Sequence, residues 1–312
     1  MGALPLLYPE ALPAGATFGL VATASPPAEA EKIPEAIGRL RAHGFRVKPG
    51  RHLEKRDGYL AGTDQERADD LHAAFADPEV DAVLALRGGY GSIRLLPLLD
   101  YAAIRAARKP FIGYSDNTAL HLALLKESGL VSFHGPNASE AFLPGNEEIF
   151  CLTLFRPEWL RQPTNLFFRV GETGEHPKTL VPGKVSGPLM GGNMTCLLRL
   201  IGTPYGPDFR GAILFLEDTG EKAYRVDGMF THLRLAGILD QIAGLVLGKF
   251  DHCEETERWR IEGCLKREAK RIGVPCVADA PIGHMPEQII VPHGARAELD
   301  AVEGSLKIVP AS

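Results

Sequence analysis

Short apolar runs alternate with stretches of helical apolar spacing along the first half of the chain. The run FGLVATASP (residues 18–26) is apolar, contains β-formers and ends in turn residues, which is typical of a buried strand. Behind it, Ile33, Ile37 and Leu40 recur at the spacing of one helix face, and Gly44 follows where that helix would end. The chain therefore opens with a strand followed by a helix.

The same alternation continues to about residue 150. In GTDQERADDLHAAFADP, Thr63 and Glu66 stand at the spacing of a capping box, which predicts the start of a second helix. Strand-like runs then alternate with the helical pattern DNTALHLALLKESG; they are VDAVLAL, KPFIG and LVSFH. Strands that alternate with helices form parallel sheets covered on both faces, so residues 1–155 predict a Rossmann-like, doubly wound domain with a mostly parallel sheet.

The second half predicts a separate α/β domain. Residues 156–184 are rich in Pro, Gly and Thr without sustained periodicity, and we interpret them as a linker. Residues 185–312 alternate strand-like and helical patterns again and end in a short β-rich tail, which indicates a smaller C-terminal α/β domain. The fold class is α/β with two domains, and a cleft between domains is where small ligands usually bind.

Composition and charge argue against two classes of partner, nucleic acids and membranes. The chain has 312 residues, with 34 basic and 39 acidic side chains and a formal net charge of −5. Without a Lys/Arg-rich run it is not expected to bind nucleic acid. Its start has no basic segment followed by an apolar one, and no window is apolar enough to cross a bilayer. We expect no membrane partner and a cytoplasmic location.

Cysteine and histidine usage argues against cofactors. The odd set of five cysteines contains no C-x-x-C pair, and the ten histidines show no H-E-x-x-H spacing, so we expect neither a disulfide framework nor a metal site. The glycines of RGGYGSIR depart from the G-x-G-x-x-G order because Arg94 stands at its last position. A dinucleotide is not indicated either, and we expect no cofactor.

Two turns after predicted strands carry candidate chemistry. In Arg87-Gly88-Gly89-Tyr90-Gly91 the glycines permit backbone N–H groups to approach a ligand, although a glycine cluster also serves plain turns. In Tyr114-Ser115-Asp116-Asn117 the serine stands at a strand-to-helix junction, where it is either a nucleophile or a helix N-cap. At such a junction the N–H of Asp116 could face an oxyanion.

A serine nucleophile needs a base, and the base needs an orienting carboxylate. His284 in APIGHMPEQ lies in a constrained loop after a strand, and His134 in SFHGP satisfies the same local logic. Glu217 ends the apolar run AILFLE, while Asp218 and Glu221 are rival acids. The residues alone leave both choices open.

The ordered set of motifs resembles the LD-carboxypeptidases, also called muramoyltetrapeptide carboxypeptidases, over nearly the whole chain. The motifs are RGGYGSIRLLPLLD, FIGYSDNTALH, GPLMGGNMT, LFLEDTGEKAYRVDGMFTHL, GKFDHC and PIGHMPEQ. The resemblance implies a metal-independent serine peptidase that cleaves the L,D bond to the terminal D-Ala of murein tetrapeptides in cytoplasmic cell-wall recycling. It places the nucleophile at Ser115, the orienting acid at Glu217 and the base at His284.

The resemblance also implies an oxyanion hole made of backbone N–H groups from Gly88 or Gly89 and from Asp116. Tyr90 and Asn193 match positions that face the cleft in such enzymes, although a structural role suits each equally. Arg87 is a candidate for the substrate carboxylate, with a structural salt bridge as the alternative reading. The implied partner is a small murein peptide, and a homodimer is the assembly we consider.

Two other functions fit parts of the pattern. The family resembles microcin C self-immunity peptidases, which share the triad but hydrolyse an aminoacyl-nucleotide toxin; these tend to carry longer insertions in the second domain, where this chain is compact. A non-catalytic, two-lobed peptide- or sugar-binding protein would use the same cleft. It would not require Ser, Glu and His together at strand ends.

Overall fold

The computed structural model contains two compact units. The first comprises Met1–Pro157 and Pro204–Pro207, and the second comprises Glu158–Thr203 and Asp208–Ser312. A two-domain α/β fold is therefore confirmed. The structure describes residues 4–143, 164–166, 177–253, 260–285 and 288–309.

The first unit is built on a parallel sheet. Its strands are Thr17–Val21 (β1), Arg46–Pro49 (β2), Ala82–Ala85 (β3), Phe111–Gly113 (β4) and Phe133–His134 (β5). All the neighbouring pairs run parallel in the order β5-β4-β3-β1-β2. The central strands β1, β3 and β4 are buried throughout, as expected for a sheet covered on both faces.

The helices of this unit follow the predicted signals. Ile33 and Leu40 of the first helix are buried, and Thr63 and Glu66 form the predicted capping box at the start of the second. The helices are Lys32–Ala42 (α1), Asp64–Ala76 (α2), Tyr101–Ala107 (α3) and Thr118–Ser128 (α4), with 3-10 helices at Ser92–Leu98 and Ser115–Asn117.

The strand order places a switch point between β1 and β3, where the direction of winding reverses. Ligands of doubly wound sheets bind outside the carboxyl ends of the strands at such a point. The loops that follow β1 and β3 meet there, because a Cβ added to Gly89 would lie 2.6 Å from the Cβ of Ser25. The glycine turn is thus close-packed against the first loop.

The second unit carries an eight-stranded mixed sheet. Its strands are Thr164–Asn165 (β6), Lys178–Val181 (β7), Lys184–Asn193 (β8), Ile213–Thr219 (β9), Gly244–Asp251 (β10), Cys276–Ala278 (β11), Arg296–Asp300 (β13) and Ser305–Ile308 (β14), and the short strand Val291–Pro292 (β12) is not part of this sheet. The strand order is β6-β14-β13-β8-β9-β10-β11-β7; the centre, β8 to β11, is parallel, and the flanking strands pair antiparallel.

Three helices complete the second unit as described: Met194–Leu198 (α5), Ala223–Leu235 (α6) and Ile261–Ile272 (α7). The predicted tail is present as the antiparallel pair β13 and β14. In the described parts of the chain, no helix is both long and apolar enough to span a bilayer.

Part of the predicted linker, 156–184, is regular structure. Residues 156–163 and 167–176 lie outside the described residues, but β7 pairs with β11, and β6 pairs with β14. These edge strands are too short to show periodicity, so pairing rather than pattern makes them strands. The domain limits 1–155 and 185–312 stay predictions.

Candidate active site

Ser115 has a left-handed backbone, with φ of 64°. It follows β4 by two residues and opens the 3-10 turn that leads into α4. The N-cap of α4 is Asn117, and its side chain makes no capping bond. Since a non-glycine residue in this region is strained and an ordinary N-cap has extended backbone, the turn resembles a nucleophile elbow more than a capped helix start.

A buried amide network holds this turn. Asn117 Nδ2 donates to Tyr114 O and to Asn137 Oδ1, both at 3.1 Å, and Asn117 Oδ1 accepts from Thr23 Oγ1. Asn137 Oδ1 also accepts from Tyr114 N at 3.2 Å. Thr23 and Asn137 were not among the predicted site residues, because each joins the turn from a distant loop and neither carries a local signal in the sequence.

The glycine turn lies directly against the serine. A Cβ added to Gly88 would lie 2.7 Å from Ser115 Cβ and 2.9 Å from its Oγ, which only a residue without a side chain permits. Gly89 has φ of 116°, and the N–H of Tyr90 donates to Ser25 Oγ at 3.1 Å. The structure therefore brings Gly88 and Ser115 together, as an oxyanion site requires.

Asp116 connects the two turns through its own polar groups. Its Oδ2 accepts from the N–H of Ser92 at 2.7 Å, and its backbone carbonyl accepts from Ser92 Oγ. Both residues are buried. The carboxylate of Asp116 is thus structural, and its N–H is the group that the sequence analysis assigned to the oxyanion.

His134, the rival base, is fully buried in β5. Its ring lies edge-on to Tyr114, with centroids 6.0 Å apart, and 6.2 Å from the ring of His121. A base that serves a substrate must be reachable by it, so this burial does not favour His134.

In the second unit, Glu217 and His284 form a hydrogen-bonded pair. His284 Nδ1 lies 2.8 Å from Glu217 Oε2, with the carboxylate fully buried and the histidine side chain 20% exposed. Because a carboxylate accepts, the bond places a proton on Nδ1 and leaves Nε2 as the basic nitrogen. This is the orientation that a triad base requires.

Close glycine packing sets the position of Glu217. A Cβ on Gly283, which has φ of 112°, would lie 2.7 Å from Glu217 Oε2, and one on Gly248 would lie 3.1 Å from Glu217 Cβ. Glu217 Oε1 is buried without a hydrogen-bond partner among the described residues. Of the two carboxylate oxygens of Glu217, Oε2 is therefore the one whose hydrogen bond is supplied by His284.

The rival acids have other partners. Asp218 accepts from Asn193 Nδ2 at 3.0 Å and from the N–H and hydroxyl of Thr195 at 3.0 and 2.9 Å. Burial, and then the charge of Glu217, raise the pKa of Asp218, against the bonds from Thr195. Glu221 pairs with Arg225 at 3.5 Å. Of the three carboxylates, Glu217 is the one that bonds to His284 in the described contacts.

The candidate substrate residues differ in what they touch. Asn193 caps α5 through Oδ1, which accepts from the N–H of Cys196 at 3.1 Å, while its Nδ2 bonds to Asp218. Arg87 donates to the backbone carbonyl Pro26 O at 2.8 Å. Tyr90 is 57% exposed. Asn193 thus has both its amide oxygen and its amide nitrogen engaged in hydrogen bonds.

The cysteines and the candidate metal-binding side chains are the alternative reactive groups. Burial raises the pKa of Cys276 to about 12 and that of Cys264 to about 11, which keeps both as thiols. Cys151 lies outside the described residues. Among the residues that the structure does describe, no group of three or more His, Cys, Asp or Glu side chains could hold a metal ion.

The first unit contains a strained serine that faces a glycine, and the second contains a carboxylate-bound histidine, and both are arrangements found in hydrolases. Comparison with known proteins agrees with this class. Residues 18–135 match the LD-carboxypeptidase N-terminal domain, and residues 186–299 match the LD-carboxypeptidase C-terminal domain. The chain belongs to the LD-carboxypeptidase family.

Individual relatives cover nearly its full length. A probable murein peptide carboxypeptidase of Bacillus subtilis is 39% identical over 97% of this chain and 94% of its own. The crystal structure of muramoyltetrapeptide carboxypeptidase from Oxalobacter formigenes is 31% identical, with a TM-score of 0.81 over 95% of this chain and 100% of that one. The structure of MccF in complex with glutamyl sulfamoyl guanosine is 26% identical, with a TM-score of 0.89 over 98% and 99%.

Proposed function

We propose that this chain is a serine carboxypeptidase that removes the terminal D-Ala of murein tetrapeptides in the cytoplasm, during cell-wall recycling. Ser115 is the nucleophile, His284 the base and Glu217 the acid that orients it. The observation that carries the proposal is the left-handed backbone of Ser115 against Gly88, because an N-cap does not require this strained conformation, whereas a nucleophile held against a glycine turn does.

In the first step, Ser115 Oγ attacks the carbonyl carbon of the residue before D-Ala. Its proton passes to His284 Nε2, and the charge of the imidazolium is stabilised by Glu217 through Nδ1. The carbonyl oxygen becomes an oxyanion and accepts from the N–H of Asp116 and of Gly88 or Gly89. When the C–N bond breaks, Nε2 returns the proton to the departing amine, and D-Ala leaves.

In the second step, water attacks the acyl-enzyme ester. His284 Nε2 takes a proton from the water, a second oxyanion forms at the same donors, and the C–Oγ bond breaks. The proton then goes to Ser115 Oγ, and the shortened peptide leaves with a new carboxylate. No external oxidant, reductant or metal enters this balance.

Carboxypeptidase specificity requires a group that binds the terminal carboxylate. Arg87 is our candidate, since its guanidinium lies at the start of the glycine turn, and Tyr90 is our candidate for a further substrate contact. Asn193, with both of its amide functions bonded within its own unit, serves by holding Asp218 and α5. A homodimer is the proposed assembly, and sedimentation equilibrium tests it.

The deciding experiment offers three substrates to the purified chain. We expect a murein tetrapeptide to lose D-Ala, and a pentapeptide ending in D-Ala-D-Ala to react at least tenfold more slowly, because its extra residue occupies the place of the carboxylate. Mass spectrometry of the released products measures both rates, with Ser115→Ala as the control. Faster cleavage of the pentapeptide would contradict the L,D assignment.

The third substrate, an aminoacyl sulfamoyl adenosine, tests the self-immunity alternative. The alignment with the MccF structure covers nearly all of both chains, so length does not separate the two activities. Cleavage of this conjugate without cleavage of the tetrapeptide would replace the proposed substrate. If neither the tetrapeptide nor the conjugate is cleaved but the tetrapeptide binds tightly, the result would favour a non-catalytic binding protein.

A further inference from the structure

A buried arginine lies beneath the glycine turn. Arg67, on α2, is 1% exposed. Its Nη1 donates to two backbone carbonyls, Thr23 O at 2.6 Å and Gly91 O at 3.0 Å, and its Nη2 bonds to the carboxylate of Asp64. The guanidinium therefore joins α2 to the loop after β1 and to the turn after β3.

This arrangement is costly as a source of stability alone. Arg67 Nε is buried and has no hydrogen-bond partner among the described residues. Burial lowers the pKa of the Arg67 guanidinium, and the negative charge of Asp64, with a smaller effect from Asp116, acts against this shift. Since apolar residues often replace buried ion pairs without loss of stability, a cation here is better explained by the positions it fixes.

Both carbonyls that Arg67 holds lead to the proposed oxyanion site. Thr23 also donates through Oγ1 to Asn117 Oδ1, in the turn that carries Ser115. Gly91, with φ of 113°, ends the glycine turn, and a Cβ there would lie 2.3 Å from Leu60 Cδ2 and 3.3 Å from Arg67 Nη1. The arginine thus occupies the space beside a glycine that cannot be replaced without moving its neighbours.

The chain of contacts continues from Gly91 to the nucleophile turn. The next residue, Ser92, donates from its N–H to Asp116 Oδ2 and from its hydroxyl to Asp116 O. Asp116 in turn supplies one N–H of the proposed oxyanion hole, and Gly88 or Gly89 supplies the other. Arg67 and the Ser92–Asp116 pair therefore link the two arms of that hole.

We propose that Arg67 is a positioning residue that holds the Gly88–Gly91 turn in register with the Ser115 turn, so that both oxyanion donors point to one place. This inference rests on the proposed function for the oxyanion role, but not for the positioning itself. Because the oxyanion exists only in the transition state, displaced donors lower kcat and leave substrate affinity almost unchanged.

The chain offers a matched control in Arg94. This arginine also bonds to Asp64, through Nε at 2.8 Å and Nη2 at 2.7 Å, but its side chain is 51% exposed. Arg67→Met and Arg94→Met each remove one arginine partner of Asp64, and only the first removes the donors to Thr23 O and Gly91 O. The comparison separates loss of an ion pair from loss of the turn's support.

With the tetrapeptide as substrate, we expect Arg67→Met to lower kcat about 100-fold with KM changed less than about threefold, and Arg94→Met to leave kcat within about threefold. Arg67→Lys keeps the charge and some donors, and its kcat should be at least a tenth of the wild-type value. Equal kcat for both methionine variants, or an effect confined to KM, would overturn the positioning role.

Hydrogen exchange of residues 86–95 tests the positioning without turnover. Arg67→Met should speed exchange of this segment by at least tenfold, with Arg94→Met unchanged, whether or not the peptide is a substrate. Unchanged exchange in Arg67→Met refutes the inference. If exchange in Arg67→Met is faster but the wild-type protein cleaves no tetrapeptide, the proposed function is refuted and the positioning role stands. If Arg67→Met does not fold, Ser92→Ala, which breaks the next link to Asp116 O, is measured by the same two readouts, and unchanged kcat together with unchanged exchange in that variant would overturn the inference.

Discussion

At the scale of single residues, Ser115 combines a reactive hydroxyl with an unfavourable backbone. Its φ of 64° costs an L-residue about 1 kcal/mol that glycine would not incur. We expect Ser115→Ala to abolish turnover with little change in stability, and Ser115→Gly to abolish turnover while raising the free energy of unfolding by up to about 1 kcal/mol.

Steady-state kinetics and urea denaturation of the two variants check this prediction together. Turnover within tenfold of wild type in either variant would remove Ser115 from the nucleophile role. A loss of stability in Ser115→Gly would contradict the expected net gain from relieving the left-handed backbone.

The two adjacent carboxylates provide a second residue-level prediction. Glu217→Gln keeps the shape of the side chain but weakens the orientation of His284 and the stabilisation of its cation, so we expect kcat to fall by at least 100-fold. Asp218→Asn, the matched neighbour, should act mainly on stability through the Asn193 and Thr195 bonds. A silent Glu217→Gln beside an inactive Asp218→Asn would assign the acid to Asp218.

At the scale of elements, His121 ties α4 to β4. Its Nε2 donates to Gly113 O and its Nδ1 accepts from Ser132 Oγ, both at 2.8 Å. Burial lowers the pKa of His121 from 6.5 to about 4, against the bond to Gly113. The neutral ring thus supports the strand that precedes the nucleophile turn.

This pKa shift predicts acid sensitivity of the fold. Between pH 6.5 and about 4 the unfolded chain binds the proton that the folded one rejects, so stability falls as the pH falls through this window, by about 3 kcal/mol in total. His121→Gln keeps a donor for Gly113 O and does not titrate. Its free energy of unfolding should therefore decline less from pH 7 to pH 4, and an unchanged slope would contradict the assignment.

The exposed His232 provides the control for that measurement. His232 lies in the last turn of α6, and we expect the free energy of unfolding of His232→Gln to vary with pH as it does in the wild type. Urea denaturation at a series of pH values compares the three proteins.

At the scale of the whole molecule, the proposed chemistry draws one group from the first unit and two from the second. The reaction as balanced above uses only serine, histidine, a carboxylate and water. We therefore expect tetrapeptide cleavage to survive exhaustive dialysis against EDTA, within about twofold of the untreated enzyme. Loss of activity that added zinc restores would contradict the serine mechanism.

Local sequence patterns were enough to predict most helices and strands, and the strand ends that carry the candidate catalytic residues. The capping box at Thr63, the buried runs of β1, β3 and β4, and the helical spacing in α1 all depend on interactions a few residues apart, which a single sequence records. The edge strands β6 and β7 were missed because their few residues have no period of their own.

Choices between neighbours required the tertiary structure. Glu217 and Asp218 are adjacent on β9, where successive side chains point to opposite faces, and the sequence does not say which face carries His284. The left-handed backbone of Ser115 and the position of Arg67 were equally hidden from local reasoning. Each depends on contacts with residues far along the chain, such as Gly88 with Ser115 and Arg67 with Thr23, and the free energy of such contacts exists only once the loops after different strands have come together.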